Sequence, residues 1–287
     1  MSEKHIDEIS GIDTTGHEWD GIRELNNPLP RWWVWTFYMT IVWALAYTIA
    51  YPAWPMLSSA TTGLLGYSSR ADIKNELAAA EASKGAYVSA VAAKTVDEIL
   101  ADDALRTFAT AAGAAAFKVN CVQCHGSGAA GSPGYPNLND DEWLWGGKPT
   151  DIQTTITHGI RFASDADTRF SEMPPFGDVL DKPQVASVTA YVMSLSGEAS
   201  NPSLVEGGKT LFTENCAACH GDDGKGNREL GAPNLTDAIW LRGSTEAAIA
   251  AQVAAPRHGT MPGWVGRLGE TTVKELTVYV HSLGGGE

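Results

Sequence analysis

The apolar and polar positions along the chain first single out one long uncharged run. Residues 32–51 carry no charged side chain, and these twenty positions are the length that an α-helix needs to cross a hydrocarbon core of about 30 Å. Aromatic side chains typical of membrane interfaces flank the run: Trp32, Trp33 and Trp35 lie at its start, and Tyr47, Tyr51 and Trp54 at its end. Pro52 and Pro55 end the helical pattern. The pattern predicts one transmembrane helix over 32–51.

The segment before this run bears on whether it is a retained anchor or a cleaved signal peptide. Residues 1–31 hold seven acidic and three basic side chains, whereas a signal peptide begins with a short basic region. We therefore favour a retained anchor. Three bases precede the span and only Arg70 follows within twenty residues, which favours a cytoplasmic segment over 1–31. Within it, 19–31 are expected to dock on a partner protein or at the membrane surface, and 1–16 equally fit a disordered acidic tail.

Helical patterns dominate the rest of the chain. Residues 52–102 are expected to be a spacer, whose Ala-rich part from Ser68 onward is either helical, with a capping box at Thr95 to Glu98, or a flexible linker. Val185 to Leu195 and Val273 to Leu283 show helical apolar periodicity. Residues 103–287 give no convincing alternating strand pattern. The predicted fold class is therefore mostly α.

A set of landmarks occurs twice in the same order, which indicates one fold used twice. Gly113, Phe117, Asn120, Cys121, Cys124 and His125 recur 95 positions later as Gly208, Phe212, Asn215, Cys216, Cys219 and His220. Later landmarks recur as well: Pro136-Asn-Leu as Pro233-Asn-Leu, Trp143-Leu as Trp240-Leu, Met173-Pro as Met261-Pro, and Tyr191-Val as Tyr279-Val. A polar, turn-forming stretch at 197–202 separates the copies. We predict two tandem domains, 103–199 and 200–287.

The four cysteines all lie in the repeated C-x-x-C-H motif, which is the attachment signature of c-type haem. Two cysteines three apart lie on one side of a helical turn and can form thioethers to one porphyrin edge. Disulfides or a zinc site are the alternatives, but neither needs the adjacent histidine. We expect two tandem cytochrome c-like α domains with two covalently bound haem c groups. Cys121, Cys124, Cys216 and Cys219 would attach the haems, and His125 and His220 would bind the irons.

Methionine is the expected sixth ligand. Met173 and Met261 each precede a proline in a loop downstream of a haem motif, whereas Met193 lies in a helical pattern and is expected in the core. A thioether opposite histidine raises the reduction potential and closes the iron to small ligands, which suits electron transfer. The alternative for both residues is a methionine that fills the core.

Other side chains at matching positions are weaker candidates. Trp143 and Trp240 would pack on haem edges, donate to propionates or simply fill the core. His158 and His258 would be alternative ligands, propionate partners or surface residues. Arg161 and Arg257 would neutralise propionates or face solvent.

The net charge of −14 argues against nucleic acid as a partner, because a phosphate backbone attracts a basic face. An acidic surface can steer a basic protein toward it or only keep a domain soluble. The acids cluster beside the candidate haem features: Asp140, Asp141 and Glu142 precede Trp143, Asp165 and Asp167 lie in the first Met loop, and Asp222 and Asp223 follow the second motif. This distribution favours steering.

These residues together resemble a known family. The block Trp-Asp-Gly-Ile-Arg-Glu-Leu-Asn-Asn-Pro-Leu-Pro-Arg-Trp-Trp at 19–33, then Tyr51-Pro52, Gly63-Leu-Leu-Gly66 and two cytochrome c units, is similar to the dihaem subunit of cbb3-type cytochrome c oxidases (CcoP or FixP type, subunit III). The resemblance covers nearly the whole chain. Its block before the span is specific, whereas C-x-x-C-H alone indicates only a cytochrome c.

The resemblance implies the electron-entry subunit of a terminal oxidase in aerobic or microaerobic respiration. Its partners would be a haem-copper catalytic subunit, a monohaem cytochrome c subunit and a soluble basic cytochrome c donor. It would cross the bacterial inner membrane once, with the haem domains on the periplasmic side. The oxygen-reducing site cannot lie in this chain, because the single span has no histidine for it. A membrane-anchored dihaem carrier for another dehydrogenase or reductase remains open, as does a dihaem peroxidase, against which methionine at both irons argues.

The resemblance also implies that the methionine ligands are exchanged. Met261 would then bind the haem on Cys121 and Cys124, and Met173 the haem on Cys216 and Cys219. From the residues alone the default is a methionine from the same repeat, and the sequence does not decide between the two. Met173 lies fifteen positions after His158, but Met261 lies only three positions after His258, so the two loops are built differently.

Overall fold

The structure, a computed structural model, describes residues 5–197 and 201–284. The chain divides into two compact units, Met1–Ala82 and Ser83–Glu287. The expected boundary between the repeats falls in part on residues 198–200, which lie outside the described residues.

A β-hairpin stands near the start of the first unit, where sequence analysis predicted no strand. Strands β1 (Thr14–Trp19) and β2 (Ile22–Leu25) pair antiparallel, with Trp19 opposite Ile22. Asp20 and Gly21 connect them at φ 50° and 82°, the left-handed geometry that an Asp-Gly pair favours in two-residue hairpins. That dipeptide is the signal that could have predicted the hairpin.

Helix α1 (Arg31–Ala50) lies within one residue of the predicted span. It buries none of its side chains within the unit, although most of them are apolar. Among the described residues it is the one helix that is long and apolar enough to cross a membrane. A helix that is apolar all round and uncovered by protein fits a lipid environment, so α1 serves as a membrane anchor.

The loop that follows α1 folds back and caps its end. The amides of Leu64 and Leu65 donate to the carbonyl oxygens of Ile49 and Ala50, each over 3.0 Å. These carbonyls would otherwise lack partners, because the last turn of a helix has no amides ahead of it. Gly63 makes the close approach at φ 68°, where a Cβ would overlap the backbone of Ala50.

The residues before the first haem motif are helical, as sequence analysis favoured over a flexible linker. Helix α2 (Ser69–Ala93) is followed by α3 (Val96–Ala101). The predicted capping box is present: the Thr95 hydroxyl accepts from the Glu98 amide, and the Glu98 carboxylate accepts from the Thr95 amide over 2.7 Å. The end of α2, α3 and the start of the next helix share a small apolar core around Val91, Ile99 and Leu105.

The two repeats have the predicted order of helix, haem motif, loop, short helix, Met loop and final helix. The first contains α4 (Asp103–Asn120), α5 (Val122–His125), α6 (Pro149–His158), a short 3₁₀ helix (Phe176–Asp178) and α7 (Lys182–Leu195). The second contains a 3₁₀ turn (Pro202–Leu204), α8 (Val205–Asn215), α9 (Ala217–His220), α10 (Glu246–Ala254) and α11 (Val265–His281), which is kinked at Gly269.

The final helices are exchanged between the repeats. Helix α11 packs on α4 and α6 of the first repeat, and α7 packs on α8 and α10 of the second. We call α4, α5, α6 and α11 the first core, and α8, α9, α10 and α7 the second core. Only nine residues separate Leu195 from Val205, and consecutive elements with a short connection usually pack side by side. The compact cores therefore do not coincide with the sequence repeats.

Equivalent glycines allow the two helix crossings. A Cβ at Gly113 would overlap the carbonyl oxygen of Glu275 on α11, and a Cβ at Gly208 would overlap that of Ser187 on α7. One turn further along, Phe117 packs on Tyr279 at 5.3 Å between ring centroids, and Phe212 packs on Tyr191 at 5.2 Å. The two crossings are thus built from the same types of residue at equivalent positions.

Candidate haem sites

The first haem motif lies where a long helix gives way to a single turn. Helix α4 ends at Cys121, and α5 presents His125 one turn later. The His125 Nδ1 lies 3.1 Å from the Pro136 carbonyl oxygen. Because a carbonyl only accepts, Nδ1 carries the proton and Nε2 keeps its lone pair for a metal. Burial lowers the pKa of His125, so the ring is neutral at neutral pH.

The second motif repeats this arrangement in detail. The Nδ1 of His220 lies 3.1 Å from the carbonyl oxygen of Pro233, the equivalent of Pro136. His220 is buried, and burial lowers its pKa. Each motif therefore supplies one neutral imidazole in a fixed tautomer, as an axial ligand to iron requires.

The four cysteines are free thiols, not the disulfides that were one alternative. In each motif the second cysteine, Cys124 or Cys219, is exposed, whereas Cys121 is half-buried and Cys216 is buried. Burial raises the pKa of Cys121 and of Cys216 to about 11, so both are protonated thiols at neutral pH. One inner and one outer thiol fit a group attached by one edge at the protein surface.

The first motif opens onto an apolar cavity that also contains a methionine of the second repeat. Cys121 and His125 line it together with Met261, and Trp143, Ile156 and Leu276 are further lining residues. Met173 of the same repeat is not among the lining residues. The first cavity therefore does not place the haem motif beside the methionine of its own repeat, which was the default expectation from the residues.

The second motif opens onto a larger cavity that contains a methionine of the first repeat. Cys216, Cys219 and His220 line it together with Met173, and Trp240 occupies the place that Trp143 has in the first cavity. Met261 is not among its lining residues. Each cavity thus brings together the first cysteine and the neutral histidine of its motif, with Nε2 free, and a thioether from the other repeat in apolar surroundings; Cys219 also lines the second cavity. This donor set fits haem c.

Hydrogen bonds connect the two Met loops, which contain Met173 and Met261. Met261 exchanges two backbone hydrogen bonds with Ile160: the Met261 amide donates over 3.0 Å and the Ile160 amide donates back over 2.9 Å. In the other direction, Nε2 of His258 lies 3.2 Å from the Met173 carbonyl oxygen. Each methionine is therefore held by a residue of the other Met loop, although the loops differ in length.

The weaker candidates separate into cavity residues and others. His258 lines the second cavity but its ring contacts the Met173 backbone. His158 lines neither cavity, and its Nδ1 lies 3.1 Å from an Asp165 carboxylate oxygen. Arg161 and Arg257 both line the second cavity. Met193 packs against the second core, as predicted for a core residue.

Two functional positions were missed by sequence analysis. Trp145 and Arg242 follow Trp143-Leu144 and Trp240-Leu241, so the repeat itself relates them, but their side chains differ. Trp145 lines both cavities and lies where a Cβ on Gly231 would be. Arg242 lines only the second cavity and lies beside Gly134, the equivalent glycine. An alignment of the two repeats that extended one residue further would have drawn attention to both.

The sequence matches two family models. The model for the N-terminal domain of cytochrome oxidase-cbb3, FixP, matches residues 11–58. The model for cytochrome c oxidase, cbb3-type, subunit III matches residues 108–192 and 203–280. The first match includes the hairpin and α1, and the second includes both haem motifs and both Met loops.

Curated relatives are similar over the whole chain. The cbb3-type cytochrome c oxidase subunit FixPc of Rhizobium leguminosarum bv. viciae is 66% identical over 286 residues, covering 100% of both chains. Subunit FixP of Sinorhizobium medicae is 63% identical over 284 residues, covering 99% of this chain and 98% of that protein. Subunit CcoP of Cereibacter sphaeroides is 53% identical over 276 residues, covering 96% and 95%. The chain therefore belongs to the FixP/CcoP family, subunit III of cbb3-type cytochrome c oxidases, and its cytochrome c domains carry covalently bound haem c.

Proposed function

We propose that the chain is the electron-transfer subunit of a cbb3-type cytochrome c oxidase and carries two haem c groups with crosswise methionine ligands. Haem c iron supplies a one-electron couple when bound. The observation that carries the proposal is the content of the two cavities: each is lined by the first cysteine and the histidine of a C-x-x-C-H motif and by a methionine from the other repeat. His125 and Met261 would hold the iron of the first haem, and His220 and Met173 would hold that of the second.

The residues of each site disfavour competing chemistry. A haem held by both a histidine and a methionine would have no open position for oxygen or peroxide, which would separate an electron carrier from an oxygen-reducing or peroxidase site. The apolar lining keeps water away from the iron and fixes its surroundings, which limits reorganisation during electron transfer. These features support an electron carrier over the dihaem enzyme that the sequence left open.

Two arginines are suited to the acidic edge of the second haem. Arg242 and Arg257 line the second cavity, and burial followed by repulsion from Arg257 lowers the pKa of Arg242. An anion in the cavity would relieve that repulsion, because carboxylates bind guanidinium groups in charge-assisted pairs. We therefore assign the propionates of the second haem to these two residues.

The assembly follows from the family. The chain acts in a complex with other oxidase subunits, which we take to be a haem-copper catalytic subunit and a monohaem cytochrome c subunit, and it receives electrons from a soluble basic cytochrome c. Lys4, Arg23 and Arg31 precede the uncharged run 32–51, and Arg70 alone follows it within twenty residues. This bias supports a cytoplasmic N-terminus and haem domains on the periplasmic side of the inner membrane.

Single-haem variants test the crosswise ligands. Changing Cys216 and Cys219 to serine leaves only the first haem attached, and the ferric form of this protein should keep a weak long-wavelength absorption band of a methionine–iron bond. Adding Met261→Leu should abolish that band, whereas adding Met173→Leu should leave it. Serines at Cys121 and Cys124 give the reciprocal background, in which the two methionine variants exchange roles. Ligation within one repeat would give the opposite pattern in both backgrounds.

A further inference from the structure

Arg161 belongs to the first Met loop, and its side chain contacts the backbone of both Met loops. Its Nε donates to the carbonyl oxygen of Gly259 over 2.7 Å, and its Nη1 donates to the carbonyl oxygen of Ser171 over 2.8 Å. Gly259 lies two residues before Met261, and Ser171 lies two residues before Met173. One guanidinium group therefore holds equivalent points of both loops.

The backbone of Arg161 is also part of this connection. Its neighbour Ile160 pairs with Met261 through two hydrogen bonds, and its own amide donates to the Arg169 carbonyl oxygen over 2.8 Å. Arg161 adopts φ 52°, a left-handed conformation that is unfavourable for a long side chain and persists only where the surroundings enforce it. The strained backbone directs the side chain toward Ser171 and Gly259.

The chemistry of the guanidinium suits a tether more than a simple counter-charge. Its planar fork presents donors in fixed directions, so two carbonyl oxygens bound to one group are held at a fixed separation. Hydrogen bonds from a charged donor are stronger than neutral ones. Burial lowers the pKa of Arg161, yet the group remains charged at any physiological pH.

We propose that Arg161 is a positioning residue for both axial methionines and that it couples the two haem sites mechanically. A displacement of either Met loop moves a carbonyl that the same guanidinium binds, and the other loop responds. This inference rests on the proposed crosswise ligation, since Met173 and Met261 must be ligands for their positions to affect the haems.

The test uses Arg161→Lys in the full-length protein with both haems attached. Lysine keeps the charge but cannot span two carbonyl oxygens with a rigid fork. We expect the methionine–iron bands of both haems to weaken. Both midpoint potentials should fall, because methionine ligation raises them. The equilibrium constant for reduction of each haem should decrease several-fold. His258→Ala removes a contact to the Met173 carbonyl oxygen and should change the second site more than the first.

Arg267→Lys is the matched control. Arg267 lies 5.7 Å from the centre of the Trp264 ring and is not among the lining residues of either cavity, so both bands and both potentials should equal those of the parent. Parental values in Arg161→Lys, or a change at one site only, would overturn the proposal.

A double-mutant cycle measures the coupling directly. Met173→Leu should shift the midpoint potential of the first haem in the parent and not in the Arg161→Lys background; equal shifts in both backgrounds would overturn the tether. Loss of bands in Met173→Leu and Met261→Leu with no effect of Arg161→Lys would refute the tether while crosswise ligation stands.

If Arg161→Lys takes up no haem, Arg161→Gln is measured instead. Failure of both to take up haem would assign Arg161 to folding and overturn the proposal.

Discussion

A single backbone carbonyl decides which nitrogen of each motif histidine is free. Pro136 and Pro233 supply these carbonyls, and each lies 3.1 Å from the Nδ1 of its histidine. The hydrogen bond fixes both the tautomer and the orientation of the ring, as partners of metal-binding histidines usually do. The repeated Pro-Asn-Leu triplets thus have a role that their spacing could not reveal, because the chain must first loop back over the motif.

Glu275 is a buried acid at the crossing of α4 and α11. Only 8% of it is exposed, and burial raises its pKa above the ordinary value of 4.5. The folded protein therefore binds this proton more tightly than the unfolded chain does. The contribution of Glu275 to stability should be greatest below the ordinary glutamate pKa and should be lost as the pH rises through the raised pKa.

Glu275→Gln tests this pH dependence. The variant cannot ionise, so its melting temperature should exceed that of the parent at pH 7 and should equal it at about pH 4, where both forms are neutral. Thermal unfolding followed by circular dichroism at the two pH values gives the comparison. Glu270→Gln, at an exposed position of the same helix, is the control and should change neither value. A shift of equal size at both pH values would show that ionisation is not the cause.

At the level of elements, the helices could be predicted and their pairing could not. The periodicity of Val185 to Leu195 and Val273 to Leu283 predicted the final helices closely, since a buried stripe repeats every three to four residues. The exchange of those helices was not predictable from the residues, because Tyr191 and Tyr279 are equivalent and so are Phe117 and Phe212. Either tyrosine fits either phenylalanine. The short connection between α7 and α8 favours the packing of α7 on α8 over its packing on α4.

Adjacent glycines on α8 test the close crossing. A Cβ at Gly208 would overlap the carbonyl oxygen of Ser187, whereas a Cβ at Gly207 would meet nothing within 4 Å. Gly208→Ala should therefore destabilise the protein by about 1–3 kcal/mol, the usual cost of overpacking. Gly207→Ala should stabilise it by about 0.5–1 kcal/mol through its better helix propensity. Denaturant titration of both variants distinguishes the crossing from a general effect of alanine, and destabilisation of equal size at the two positions would contradict it.

At the scale of the whole molecule, the two candidate haem sites have the same types of ligand but differ in the charged residues around them. Arg161, Arg242 and Arg257 line the second cavity together with Glu172, whereas Glu142 is the charged side chain among the described residues that line the first. The equivalence of Trp145 and Arg242 accounts for part of this difference. The repeat in the sequence predicted two alike sites, and composition alone could not show which cavity the arginines would line, because the chain brings them together from three separate segments.

The charge outside the cavities bears on the proposed delivery of electrons by a basic cytochrome c. From Pro52 onward the chain has 27 acidic and 17 basic side chains. Asp222 and Asp223 are exposed directly after the second motif, close in sequence to the exposed Cys219. Negative charge beside an exposed haem edge attracts a cytochrome with a positive rim and raises the rate of encounter.

We therefore expect the rate constant for reduction by a basic cytochrome c to fall steeply as ionic strength rises, since screening acts within about 10 Å at 0.1 M salt. Asp222→Asn with Asp223→Asn should lower the rate at low salt and flatten its dependence on salt. Glu206→Gln with Glu270→Gln removes the same net charge from exposed positions that are not among the lining residues of either cavity, and this control should keep most of the parental slope. Stopped-flow reduction across a salt series measures all three proteins. Equal slopes for the two double variants would assign the effect to net charge, and a parental rate independent of salt would exclude steering altogether.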